Sequence, residues 1–391
     1  MARAANILLV DDHEVNLELL EAYLELSGIP MNIYKAYTCA EAYICIEQVG
    51  LDLILLDVML PDGSGYDVCR HLKGFRLYQN IPVIILTALN DKQSMLEGLK
   101  AGADEFLTKP VDSHELVLRV KNLLKMKTIA NDLDERYRQL HNELAIATEL
   151  QKSFLPQKVP VYAGLDITVL YKPSSFIGGD FYDFLPIDAQ HLGVLICDVK
   201  GHGVASAMIT ATIKFQLHDL EGYYREPAAL LTQLNKRLEQ FFSSTANDYF
   251  VTAFYGVLDM ETWNFCYSSA GHNSPCLSDW AEVSFLENEQ GLPLGVFSQT
   301  AYDQQQVTLR PGQQLFLYTD GIFELELQGK AARSCSSLQD LFAEQEDITL
   351  KNILQLQRQI EQYAASQQIA DDINYITIRI DEEEASCVKS F

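Results

Sequence analysis

At 391 residues the chain is long for one hydrophobic core, and two to three domains are expected. Its 48% hydrophobic and 21% charged residues describe an ordinary globular protein, while a formal net charge of −25 excludes the clustered Lys and Arg of a nucleic-acid surface. No apolar run approaches the ~18 residues of a membrane span. The eight cysteines show no CxxC or metal-ligand spacing, and several lie within apolar runs, as small core residues in a reducing cytoplasm do. The segment MARAANILLV has no signal-peptide plan, because its apolar run leads straight into Asp11 and Asp12.

Residues 1–125 form the first expected domain. Five apolar runs, NILLV, MNIYKAY, LDLILLDV, IPVIILTA and ADEFLTK, alternate with amphipathic stretches, and SHELVLRVKNLL closes the series. Continuous apolar strands separated by helices predict a parallel sheet covered on both faces. Ligands of such sheets bind beyond the carboxyl ends of the strands, where Asp11, Asp12, Asp57, Thr87 and Lys109 all fall.

Between Pro110 and Pro156 there is no turn signal. Met126, Ala130, Leu133, Tyr137, Leu140, Leu144 and Ala147 alternate in steps of four and three, and Gln151 breaks the stripe before Phe154 resumes it. A linker helix over 126–155 is expected, roughly 43 Å long at 1.5 Å per residue. The narrow stripe with charged flanks predicts a parallel coiled coil and a homodimer, rather than a helix lying on its own domain.

The third domain, 156–381, has shorter β-branched and aromatic runs, with helical patterns near 203–221, 227–243 and 349–366. Two packed antiparallel sheets flanked by helices are expected, an α+β arrangement. The tail 382–391 has no apolar pattern and is expected to be disordered.

A carboxylate at a strand end can accept a phosphoryl group, and Asp57 is the candidate. Asp11 and Asp12 would hold Mg²⁺, which neutralises charge during transfer; Lys109 would offer an ammonium and Thr87 a hydroxyl to the phosphoryl oxygens. The segments LLVDDHE, LDLILLDVMLPDGSGYDV, IPVIILTA and AGADEFLTKP make residues 5–125 resemble a response-regulator receiver domain. The resemblance implies a flavodoxin-like five-stranded parallel fold and phosphorylation of Asp57 by a histidine kinase. It also implies Met59 beside Asp11, Asp12 and Asp57 at the Mg²⁺, and a switch in which Thr87 and then Phe106 move inward. Val111 stands where the family often has Phe.

In the third domain Asp180, Asp198, Asp320 and Asp371 lie at or beside strand ends, Asp198 entering the Gly-rich turn KGHG before a helix. An all-carboxylate set suits Mn²⁺ or Mg²⁺ better than zinc, and two such ions could clamp a phosphate. The alternative is that each acidic turn is only a turn. The segments ELAIATELQKSFLP, FIGGDFYDF, ICDVKGHGVASAM, SSAGHNSPCL, GLPLGVF, LFLYTDGIFE and IADDINYITI make residues 145–381 resemble the bacterial PPM (type 2C) serine/threonine phosphatases of sporulation and stress signalling. The resemblance implies that Asp198 bridges two metals with help from the Val199 carbonyl. Asp320 and Asp371 would complete one site, and Asp180 would act at or just outside the metals. Gly179, Asp183, His202 and Asp372 are candidates for catalysis or for supporting the ligands; His202 could be a general acid or could simply pack its turn. Asn374 stands where many relatives have Thr.

The sequence therefore predicts a response regulator whose output is a metal-dependent protein phosphatase, acting on a phosphorylated STAS-type anti-sigma-factor antagonist. The competing expectation is a non-catalytic adaptor that sequesters a partner. Retention of all four carboxylates favours the enzyme.

Overall fold

Each N-terminal apolar run becomes a strand whose alternate side chains enter two different cores. The strands are β1 (Ala5–Val10), β2 (Met31–Ala36), β3 (Leu53–Asp57), β4 (Val83–Thr87) and β5 (Glu105–Thr108), all parallel in the order β2-β1-β3-β4-β5. Ile7, Leu9, Leu53, Leu55, Ile84 and Leu86 pack with Leu17, Leu20 and Leu24 of α1 (Glu14–Glu25) and with Leu116 and Val120. Leu8, Val10, Ile54, Leu56, Val83 and Ile85 pack on the other side, against α2 (Cys39–Gln48) and α3 (Gly65–Gly74). A strand with side chains in both cores needs apolar residues at every position, which is why these runs do not alternate with polar residues. Helix α4 (Lys92–Ala101) completes the covering set. This is the flavodoxin-like arrangement expected.

The computed structural model describes residues 3–88, 92–244, 248–287, 291–324, 326–327, 330–331, 338, 349–366, 369 and 371–381. The tail 382–391, expected to be disordered, lies outside the described residues.

Helix α5 runs unbroken from Ser113 to Phe154, 42 residues, or roughly 63 Å. The expected linker helix and the closing SHELVLRVKNLL are thus one element, because no Gly or Pro interrupts them. The chain divides into two compact units, 1–140 and 141–391, within this helix.

The second unit holds two five-stranded antiparallel sheets. One contains β7 (Asp180–Pro186), β8 (His191–Val199), β9 (Val251–Asp259), β10 (Asn264–Ala270) and β13 (Gln305–Thr308), ordered β13-β10-β9-β8-β7. The other contains β6 (Leu165–Lys172), β11 (Cys276–Ser278), β12 (Val283–Phe285), β14 (Gln314–Tyr318) and β15 (Ile373–Ile380), ordered β12-β11-β14-β15-β6. Val194 and Ile196 of the first sheet share a core with Leu315, Leu317, Ile376 and Ile378 of the second and with α6 (Val204–His218) and α7 (Pro227–Phe242). Phe316, Tyr318 and Tyr375 turn the other way, onto Ile353, Leu356 and Ile360 of α8 (Leu350–Ser366). The helices lie where 203–221, 227–243 and 349–366 predicted them.

Candidate functional site

Two carboxylate clusters form, and they differ in what balances their charge. In the first unit Asp11 follows β1, Asp57 ends β3, Thr87 ends β4 and Lys109 follows β5, so parallel pairing brings all four to one edge. The Lys109 ammonium lies 2.7 Å from Asp11 Oδ2 and 2.8 Å from Asp57 Oδ2. Burial pushes the Asp57 carboxyl above its usual range, Lys109 pulls it back, and Asp11 adds to the rise. For Lys109, burial opposes the charge, but the hydrogen bonds to Asp11 and Asp57 outweigh it and the ammonium is held more firmly.

Asn16 Nδ2 donates to both Asp11 oxygens (2.9 and 3.1 Å), and the His13 N–H donates to Asp11 Oδ1 (3.0 Å). Among the described residues Asp11, Asp12 and His13 are the one acidic or histidine trio able to bring a ligand atom each within 4.8 Å of one another. Sequence reading passed over His13 and Asn16, which adjoin the acidic pair. Met59 is exposed in a short hairpin just beyond Asp57. Thr87 is buried, and Phe106 is half-buried, its ring against Gly98, where a Cβ would collide with it. A Cβ on Gly65 would likewise strike the Asp57 carbonyl, so that glycine lets α3 start directly against the strand that ends in Asp57.

In the second unit Asp180 and Asp198 are paired directly across β7 and β8. Burial, followed by the charges of Asp320, Asp371 and Asp372, pushes the Asp198 carboxyl up to about 7. Every charge acting on it is of its own sign. Asp180 is buried and held well above the normal range by burial and then by Asp198, although the Thr319 hydroxyl donates to its Oδ2 at 2.7 Å and favours the anion. Asp371 is also raised, by burial first, while the Asp372 N–H, which donates to its Oδ1 at 2.8 Å, pulls it back. The oxygens of this cluster do not meet the close spacing of the Asp11 trio, as mutual repulsion would have it.

Asp372 turns away from that role and organises the backbone. It accepts from the Ser174 N–H (2.7 Å) and hydroxyl (2.9 Å) and from the Gly179 N–H (2.5 Å). The start of β15 is thereby tied to the loop carrying Asp180. Gly179 is required by crowding: a Cβ there would lie 2.8 Å from the Gly201 carbonyl oxygen and 2.9 Å from that of Val199. Gly201 and Gly203 flank the exposed His202 with φ of +92° and +88°, a conformation side chains disfavour.

Asp183 is not brought to the cluster. Three residues from Asp180, it faces the opposite side of β7, and its carboxylate pairs with Lys214 of α6 at 2.6 Å. His272 of AGHN is buried, depressed to about 4 by burial, and hydrogen-bonded to Thr252 at 2.8 Å. The buried amide of Asn374 makes no hydrogen bond among the described residues, while its backbone N–H donates to Thr319 Oγ1 at 3.1 Å. Gln151, visible in the sequence only as a break in the apolar stripe, is buried: its Nε2 donates to the Gly178 carbonyl (2.7 Å) and its Oε1 accepts from the Gly178 N–H (3.1 Å). The end of α5 thus grips the residue two before Asp180.

Residues 7–121 match the family model of the response regulator receiver domain, and residues 188–381 match that of stage II sporulation protein E. The chain is 39% identical over 136 residues to the response regulator PleD of Caulobacter vibrioides, which covers 34% of this chain and only 29% of PleD. It is 27% identical over 253 residues to the phosphoserine phosphatase RsbU of Bacillus subtilis, covering 62% of this chain and 71% of RsbU. Among solved structures, the SiaA-PP2C domain of Pseudomonas aeruginosa superposes with a TM-score of 0.51 at 24% identity, covering 63% of this chain and 99% of that domain, which shows the fold. No described helix is long and apolar enough to cross a membrane.

Proposed function

We propose, for a chain that belongs to the response regulators and joins their receiver domain to a PPM phosphatase domain of the stage II sporulation protein E family, that it hydrolyses phosphoserine or phosphothreonine on a protein under the control of Asp57 phosphorylation. The observation that carries this reading is Asp198, a carboxylate raised to about 7 by burial and by three neighbouring carboxylates. A fold keeps such repulsion where a cation is to be held. Donors that are all oxygen fit Mg²⁺ or Mn²⁺. Asp198, Asp320, Asp371 and the Val199 carbonyl are the proposed ligands of two such ions, with Asp180 beside them. When bound, the ions would supply the positive charge that activates a water and offsets the phosphoryl oxygens.

The remaining roles fall to the chain itself. Asp372 and Thr319 fix Asp180 and the GGD loop through the hydrogen bonds above. His202, exposed between two glycines, is the proposed donor of a proton to the leaving group, the alternative being that it only packs its turn. In the receiver domain Asp57 is the proposed phosphoacceptor for a histidine kinase, with Mg²⁺ held by Asp11, Asp12, Asp57 and the Met59 carbonyl. Lys109 and Thr87 would take the phosphoryl oxygens, and Phe106 would follow Thr87.

The proposed substrate is a small STAS-type anti-sigma-factor antagonist in the cytoplasm, carried over from the sporulation and stress phosphatases that the chain resembles. Met126, Leu133, Tyr137 and Leu140, all more than half exposed on α5, supply the proposed homodimer contact. Gln151 is the proposed carrier of control, since a shift of α5 would move Gly178 and the loop that presents Asp180. Calorimetric titration with Mn²⁺ tests the reading: loss in Asp198→Ala of the second unit's binding, with the receiver's retained, supports it. Wild-type protein that binds no Mn²⁺ in its second unit would make the chain a non-catalytic adaptor.

A further inference from the structure

Next to the carboxylate cluster lies a cleft that the phosphatase chemistry does not use. It has a volume of about 460 Å³ and is lined by Lys200, Glu239, Phe242, Asp248, Phe250 and Val296, among others. Its position is fixed by strand pairing. Lys200 directly follows Val199, and its N–H donates to the Phe250 carbonyl at 3.1 Å, extending the β8–β9 ladder by one residue. The cleft therefore opens one residue beyond the proposed Val199 ligand.

Its far wall is built to hold shape. Leu294 exchanges backbone hydrogen bonds with Val251 (2.8 and 3.1 Å). Asn235, fully buried on α7, accepts from the Gly295 N–H (2.8 Å) and donates to the Phe297 carbonyl (2.7 Å). Gly295 has φ of +84°, and a Cβ there would collide with the Phe242 ring. This anchoring presents Val296 and Phe297 to solvent at 39% and 59% exposure. On the near wall the Lys200 ammonium sits 5.1 Å from the centroid of the Phe250 ring. The same ammonium donates to the Asp248 carbonyl at 3.4 Å, and Glu239 and Asp248 also line the cleft.

We propose that this cleft reads the residues flanking the phosphorylated side chain of a protein substrate, seating an apolar side chain against Phe250 and Val296 and a basic one beside Glu239 and Asp248. The inference rests on the phosphatase reading. A phosphoryl group at Asp198 leaves the neighbouring residues of an extended chain, spaced ~3.4 Å apart, within reach of the cleft. The apolar floor selects by burial, and the acidic residues Glu239 and Asp248 in the lining disfavour an acidic neighbour.

The test compares two phosphoserine peptides, alike except for Leu-Lys or Asp-Glu beside the phosphoserine, with p-nitrophenyl phosphate as a substrate too small to reach the cleft. Wild type with Mn²⁺ is expected to prefer the Leu-Lys peptide by about tenfold or more in kcat/KM, the scale on which a pocket separates apolar from mismatched groups. Val296→Lys and Glu239→Lys should each erase that preference, mainly through KM, with hydrolysis of p-nitrophenyl phosphate as in wild type. Equal turnover of both peptides by wild type, or a preference that survives both variants, overturns the proposal. Parallel loss on all three substrates overturns it too, by making the cleft a support of the carboxylates, and so does a change of molar mass in Val296→Lys, by making it a contact between copies. No hydrolysis of any substrate by wild type refutes the phosphatase reading instead.

Discussion

Removing divalent metal should make stability fall as pH rises, and Asp198 sets the size of the fall. Its folded-state pKa of about 7 lies above the ~3.9 of an unfolded aspartate. A raised carboxyl contributes stability that is fully present below the unfolded value and is lost as pH climbs through the folded one. The window is therefore about pH 4 to 7. Integrating the proton linkage between pH 5.5 and 8 gives a loss of about 2 kcal/mol from this group alone. For a unit of this size that corresponds to roughly 4–8 °C in Tm. Asp180 and Asp371, also raised by burial, act in the same direction. Differential scanning calorimetry in chelator reads the effect directly. Wild type should melt lower at pH 8 than at pH 5.5, and Asp198→Asn should flatten the slope and melt above wild type at pH 8. Added Mn²⁺ should stabilise wild type most at high pH, where its ligands are ionised. A metal-free Tm that is flat or rises with pH, or an Asn variant as steep as wild type, would refute the reasoning.

Three further outcomes are expected. Gly179→Ala should leave the fold intact by circular dichroism but weaken Mn²⁺ binding at least tenfold in calorimetry, because the new methyl displaces the Val199 or Gly201 carbonyl; unchanged affinity would contradict this. Leu133→Asp combined with Leu140→Asp should halve the molar mass measured by light scattering, and a mass that stays dimeric would place the contact elsewhere. Asp57→Asn should abolish incorporation of phosphate from a small acyl phosphate donor, whereas Asp12→Asn should slow it; labelling of the Asp57 variant at the wild-type level would remove the acceptor assignment.

What the sequence revealed and concealed has a physical pattern. Asp11, Asp57, Thr87 and Lys109 were legible because unbroken apolar runs mark buried parallel strands, and such strands deliver their last residues to one edge. Helix α5 was legible from the absence of any turn signal over about 112–155, although the linker was bounded at 126 by the domain expected before it. Contacts between distant side chains and backbone left no periodic trace. Thr319 reaches Asp180 across 139 positions, and Gln151 reaches a backbone amide 27 positions on, so neither leaves a pattern in its own segment. Asp372 was read as a neighbour of a ligand, while its work is to accept hydrogen bonds from Ser174 and Gly179. Asp183 looked like part of the GGDFYD motif, yet alternation along β7 sends it to Lys214.

Hydrolysis of phosphoserine at the second carboxylate cluster is the reaction proposed for this chain. Steady-state release of phosphate from a serine-phosphorylated STAS-type protein, measured with Mn²⁺ for wild type and Asp198→Ala, addresses it most directly. Wild type should turn over, and the variant should lose at least about a hundredfold, as expected when charge stabilisation of a phosphoryl transfer is removed. Equal rates for the two proteins would contradict it.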